Sequence, residues 1–208
     1  MPRSQNAVWK STLRGLSTLL VTVLLFFSVP SSVGDATIMC GGFRWPIKTL
    51  SDEAATKVNY TPKVTSVDTL RSYPPPRTLR GGEPRLKPTE FRTFRVKAML
   101  LRAKVAEDHD IHVVIAQPNR NRHTMIVEFP DTHCNGAARS PKKAAMRRAR
   151  NQILEACGSI PHDFVLLEGQ ATITGVGFWD QIAGQVGVAP NGIELHPVLQ
   201  FTGSCRQT

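Results

Sequence analysis

Three polar residues alternate between Glu107 and His112: Asp108, Asp110 and His112. Period-2 spacing puts all three on one face of an extended chain. Glu128 lies on the next strand-like run, with Asp131 just beyond it, and Glu194 and His196 repeat the i, i+2 arrangement near the C-terminus. Clustered carboxylates are what hard cations such as Ca2+ or Mg2+ prefer, so Asp108, Asp110 and Glu128 are the candidate metal ligands. A His or carboxylate beside such a cluster can move a proton, which makes His112, His196 and Asp131 the candidate catalytic groups. Glu194 and His196 are also candidate binding residues.

A second set is purely basic. Lys142, Lys143, Arg147, Arg148 and Arg150 fall on a predicted helix and are opposed only by Glu155. Such a face can neutralise phosphates and bind nucleic acid or another polyanion in a salt-dependent way. The chain as a whole carries a formal charge of +10, which favours polyanionic partners in general. No Gly-x-Ser-x-Gly elbow, Walker loop or Cys-x-x-Cys is present, so serine hydrolase, P-loop and zinc-finger chemistry are not indicated.

These residues need a frame. Phe91–Val105 reads as one long strand whose apolar phase switches near Met99–Leu100, which calls for a bulge. Ile111–Ile115 and Thr124–Phe129 alternate as two further strands. Ser140 and Pro141 open a helix with Met146, Ala149, Ile153 and Cys157 on its apolar stripe, and Gly158 ends it. Gln170–Trp179 and Ile193–Phe201 supply a fourth and fifth strand around a Gly-rich loop with a Pro-Asn-Gly turn. The expected fold is mainly β with one helix (α+β), an OB-fold-like five-stranded barrel in the order β-β-β-α-β-β.

The N-terminal third differs in composition. Arg3, Lys10 and Arg14 precede an almost wholly apolar run, Leu16–Val29, followed by small residues up to Ala36. This reads as a signal peptide over 1–36, too short for a stable membrane span once removed. The mature chain is then secreted, periplasmic or held in the cell envelope. Residues 37–88 read as an irregular, basic, Pro-rich leader, and 89–208 as the folded domain. Within the leader, Ser66 caps a short helix and Trp45 docks on the domain. Cys40, Cys134, Cys157 and Cys205 form an even set, for which export predicts two disulfides in one of three pairings. Joining Cys40 to Cys205 would tie both ends and leave Cys134 with Cys157.

The layout from Glu107 to Phe201 resembles that of the staphylococcal-type (thermonuclease-like) OB-fold nucleases. The resemblance implies that Asp110 and Glu128 are metal ligands, that Asp131 is a carboxylate base, and that His123 stands where the family has a catalytic Arg. The family's second catalytic Arg has no counterpart, because Gln170–Gly192 contains neither Arg nor Lys. More closely, Arg44-Trp45-Pro46 with Lys48-Thr49, Glu107–His112, Thr124–Pro130 and Gly175–Leu199 resemble a group of uncharacterised exported bacterial proteins. That group commonly has His where this chain has Ala183. The expected function is a secreted OB-fold-like binding module for a polyanion. A Ca2+- or Mg2+-dependent phosphodiesterase is the alternative, and a structural envelope protein a second one.

Overall fold

The structure is a computed structural model and describes residues 40–208. The expected signal peptide lies outside them. No helix among the described residues is long and apolar enough to cross a membrane.

The described chain is mostly β-sheet with few helices. A six-stranded sheet is built from β1 (Asn59–Val64), β2 (Arg92–Val105), β3 (Ile111–Gln117), β4 (Arg120–Phe129), β5 (Val165–Trp179) and β6 (Ile193–Gln207). Three α-helices accompany it: α1 (Trp45–Lys48), α2 (Val67–Arg71) and α3 (Lys143–Cys157). Strand order is β1-β2-β3-β4-β6-β5, and β2 also pairs with β5. The ladder from β2 to β5 therefore returns on itself, but not as a clean barrel, since β4 meets β6 at only Ile126–Glu194 and Val127–Leu195.

Strand count and order correct the expectation of five strands. The added strand, β1, runs parallel to β2 at the sheet edge. Its residues show no buried alternation, and Pro62 is tolerated there because an edge strand leaves one side unpaired. The leader is not an irregular tether either. Trp45, Ile47, Leu50, Val67 and Leu70 are all buried, and Ser66 caps α2 by accepting from the Thr69 amide. Trp45 docks by donating from Nε1 to the Asn135 carbonyl at 2.7 Å.

β2 bends where its apolar phase switches. Its register slips between Leu100 and Arg102 against β3, and between Met99 and Arg102 against β5. One strand can thereby pair with both neighbours, and Phe94, Val96, Ala98, Leu100 and Ala103 all reach the core. Each large apolar side chain buried there contributes about 1.5–3 kcal/mol. β5 and β6 run longer than their apolar segments, as an antiparallel arm reaching Leu167–Gln207. The arm is polar and its strand character comes from cross-strand pairing.

The disulfides are Cys40–Cys134 and Cys157–Cys205, which corrects the pairing that would join the two ends. Cys157 ends α3 beside the β6 arm, so the helix staples to its nearest strand. Cys40 instead reaches the loop after β4. Two such bonds suit an oxidising, extracellular environment.

The interaction that welds leader to sheet is a buried fork. Arg44 donates to both oxygens of Glu90, at 2.5 and 2.7 Å, with both side chains fully out of solvent. Glu90 also accepts from the amides of Leu86 (2.6 Å) and Trp179 (3.0 Å). Charge-assisted bidentate pairs are the strong ones, and removing one partner strands the other in a medium that cannot solvate it. Arg44→Ala is therefore expected to destabilise the protein by about 3–5 kcal/mol in urea unfolding. A loss below about 1 kcal/mol, the scale of an exposed pair, would refute that account.

Candidate functional site: a buried carboxylate and histidine centre

Two strands and the turn before a third deliver one side chain each to a common point. Asp110 ends the turn before β3, Glu128 lies on β4 opposite His112, and His196 lies on β6. The parallel contact of β4 with β6 sets Glu128 beside His196. One ligand-type atom from each of Asp110, Glu128 and His196 lies within 4.8 Å of the others, and no other such trio occurs among the described residues. All three are buried, Asp110 and His196 completely.

The contacts are ordered. His196 Nε2 lies 2.9 Å from Asp110 Oδ2, and Nδ1 lies 2.9 Å from Glu128 Oε2. None of these four atoms makes a directional hydrogen bond, although the separations are those of close ion pairs. We treat them as charge contacts. The other oxygen of each carboxylate is fastened from outside. Asp110 Oδ1 accepts from the Asp131 amide at 3.2 Å, and Glu128 Oε1 pairs with His112 Nδ1 at 3.0 Å.

A lysine from the leader completes the centre. Lys48 Nζ sits 3.3 Å from Asp180 Oδ2 and 3.6 Å from Glu128 Oε2, over the Phe178 ring. Sequence reading missed it, because Lys48 and Asp180 stand 132 residues apart. The signals were the aromatic-basic cluster around Trp45 and the Lys48-Thr49 step in the run shared with the exported bacterial group. Lys48 is also the cation that the Arg-free and Lys-free segment 170–192 lacks.

Negative charge is in excess here. Five carboxylates, Asp108, Asp110, Glu128, Asp180 and Glu194, surround Lys48 and His196. Burial alone would lower the Lys48 pKa, yet Glu128, Asp180, Glu194 and Asp108 raise it above the ordinary lysine value. Burial pushes Glu128 upward, but Lys48 and His196 win and hold it well below the usual carboxylate range. Glu194 shows the cost. Burial, then Glu128 and Asp180, drive its carboxyl well above that range. Asp108 is raised too, by burial and by the charges of Asp110 and Glu128.

A cavity of about 720 Å³ opens over this centre. Asp108, His112 and Glu128 line it, together with Lys104 and Phe164, which pack beside His112, and Gln185 and Val186 from the β5–β6 loop. The loop is seated by backbone geometry. Gly187 has φ +87°, and a Cβ there would lie 2.4 Å from Val114. The neighbouring Val186 carbonyl is then 3.1 Å from His112 Nε2. Asn191 secures the far end of the loop on the carbonyls of Leu70 and Tyr73.

The other expected residues fall differently. His112 is held at both ring nitrogens and forms a wall. Glu194 is buried in the centre with Oε2 unpartnered. Asp131 adjoins the centre through its amide, but its side chain is engaged by His133 and faces Arg150 at 3.9 Å. His123 does not join. It pairs with Asp68 at 2.6 Å and lies five residues from Glu128 along β4, about 17 Å at the strand rise.

The basic helix face is broken up. Arg150 donates to the Phe129 carbonyl at 2.7 Å, and Lys142 lies 3.7 Å over the Tyr60 ring. Lys143 is half-buried, and Arg147 and Arg148 remain exposed. Ser140 accepts from the Lys142 amide one turn ahead of the regular helix, which begins at Lys143.

Comparison with protein-family models, with curated proteins and with solved structures gave no match.

His196 carries a pH signature. Burial would lower its pKa, but Glu128, together with the contacts to Asp110 and Glu128, raises it from 6.5 to about 9. A raised folded-state pKa stabilises fully below pH 6.5 and is lost as pH climbs through about 9. Urea unfolding in chelator should therefore show stability falling by about 3 kcal/mol across that window. His196→Asn should flatten the slope, and an equal slope in that variant would rule out His196 as its source.

Proposed function

We propose that the chain is an exported, metal-dependent phosphodiester hydrolase on an OB-fold-like frame. The frame is supported by the pairing β2-β3-β4-β6-β5 with return to β2, and by α3 standing between β4 and β5. One observation carries the activity: three buried, convergent ligand atoms of Asp110, Glu128 and His196 lie beside a cavity edged by Asp108, Glu128 and Lys104. Strongly perturbed carboxylates in a cleft are where catalytic sites concentrate.

Asp110, Glu128 and His196 would hold the ion, which when bound would supply Lewis-acid polarisation of a phosphoryl oxygen. Asp108 faces the cavity with its affinity for protons raised, so it accepts a proton from a water lying there. Lys104 presents a cation at the mouth, and Lys48 stabilises the ionised form of Glu128. The net positive charge of the chain favours encounter with anionic substrates in general.

A second reading is polyanion binding without hydrolysis, favoured by the exposure of Arg147 and Arg148. One set of measurements separates the two. The mature protein is incubated with single- and double-stranded DNA and RNA, with divalent ions and with chelator. Hydrolysis should require the ion and fall by about 100-fold or more in Asp110→Asn, in which a metal ligand is lost. No cleavage under any ion, together with binding that weakens with salt and with Arg147→Ala/Arg148→Ala, would replace hydrolysis with the second reading.

A further inference from the structure

Sequence expectation placed an oxygen-only cation here, Ca2+ or Mg2+ on Asp108, Asp110 and Glu128. The structure puts His196 where that set had Asp108. We infer that the ion held by Asp110, Glu128 and His196 is an imidazole-preferring first-row transition-metal ion such as Zn2+ or Fe2+, selected against Ca2+ and Mg2+. The inference rests on the reading of this trio as a metal centre.

Donor chemistry is the first argument. Ca2+ takes about 6–8 oxygen ligands, and Mg2+ usually keeps several waters. Imidazole suits Zn2+ and its neighbours, and three protein ligands with one open position is the pattern of catalytic zinc. The trio offers one ring nitrogen and two carboxylates. Asp110 and His196 are 0% exposed and Glu128 6% exposed, and His196 is packed on the Phe178 ring. Such a site admits few waters, so an ion of high coordination number goes short of ligands.

The second argument is the arrangement around the trio. Metal-binding side chains are usually oriented by partners on their other polar atom. Here Asp110 Oδ1 is tied to the Asp131 amide and Glu128 Oε1 to His112. Asp110 Oδ2, Glu128 Oε2 and both nitrogens of His196 have no hydrogen-bond partner. The fastened atoms lie outside and the unpartnered ones face inward. The ring nitrogens face Asp110 and Glu128 respectively, so either nitrogen lies beside a carboxylate of the same trio.

The test uses the full mature protein, stripped with chelator and then titrated separately with Zn2+, Mn2+, Ca2+ and Mg2+. Thermal unfolding and equilibrium dialysis with elemental analysis are the readouts. Zn2+ should bind at one equivalent and at least about 100-fold more tightly than Ca2+ or Mg2+, a margin like that of losing one oriented ligand, with Mn2+ serving as the paramagnetic probe of the same site. In the Mn2+ form, pulsed electron paramagnetic resonance should show coupling to a histidine 14N, replaced by 15N coupling in protein grown with 15N-histidine. His196→Gln should lose that coupling and the selectivity. Should that variant not fold, the labelling experiment on the unaltered chain decides. Equal or tighter binding of Ca2+ or Mg2+, or a Mn2+ signal without nitrogen coupling, overturns the inference and leaves a metal-dependent hydrolase standing. Binding of no ion at all overturns both.

Discussion

Ionisable groups withdrawn from water at one end of the sheet set the terms for the rest of this structure. Several kcal/mol are forfeited for each charge that leaves solvent, and the loss is recovered only if partners stand in good geometry. Lys48, Glu128, Asp110, His196, Asp180 and Glu194 come from the leader, two turns and two strands. None can be satisfied by its own element. The centre therefore forces α1, β4, β6 and the start of the β5–β6 loop into one arrangement. The imbalance that remains is visible in Glu194 and Asp108, whose carboxyls are pushed towards neutrality.

A second buried pair makes the first possible. Lys48 reaches Glu128 and Asp180 because α1 is locked in place at its N-cap, four residues earlier. Arg44 grips Glu90, and Glu90 holds the Trp179 amide at the end of β5. Asp180 follows directly, so one carboxylate positions both sides of the Lys48 contact. Arg44 adopts φ +52°, a backbone region that non-glycine residues rarely occupy. The bidentate fork at its side chain compensates for that conformation. Cys40–Cys134 adds a covalent tie on the same side, next to Gly41 and Gly42 at the cavity edge.

The long hairpin of β5 and β6 converts these local ties into a cavity. Gly177 lies so close to β2 that a Cβ would meet Phe94 and the Thr89 carbonyl at 2.7 Å. That approach lets β5 cross β2 while its end delivers Trp179 to Glu90. The loop beyond returns over His112 and supplies a wall of the cavity. Frame and site are thus parts of one packing solution, with the leader as a component of it.

Much was legible along the chain because it is a local property. Apolar alternation at Phe94–Ala98, Ile111–Ile115 and Met125–Phe129 reports a strand, half-buried at the first and buried on both faces at the other two, and the stripe Met146–Ala149–Ile153–Cys157 reports a helix face. The i, i+2 spacings likewise pointed to Asp108, Asp110 and His112, and to Glu194 and His196, as polar groups sharing faces. Charge excess and an even cysteine count also need no coordinates. Strand β1 was invisible because an exposed edge strand leaves no apolar period. The disulfide partners and the place of Lys48 were invisible because each depends on long-range approach, across 94 residues for Cys40–Cys134 and 132 for Lys48–Asp180. The sequence by itself determined the residue types of the centre and the strands that carry them. Only the tertiary structure decided which of them meet. Burial energy depends on the surroundings of a charge, and neighbours in the chain do not specify those surroundings.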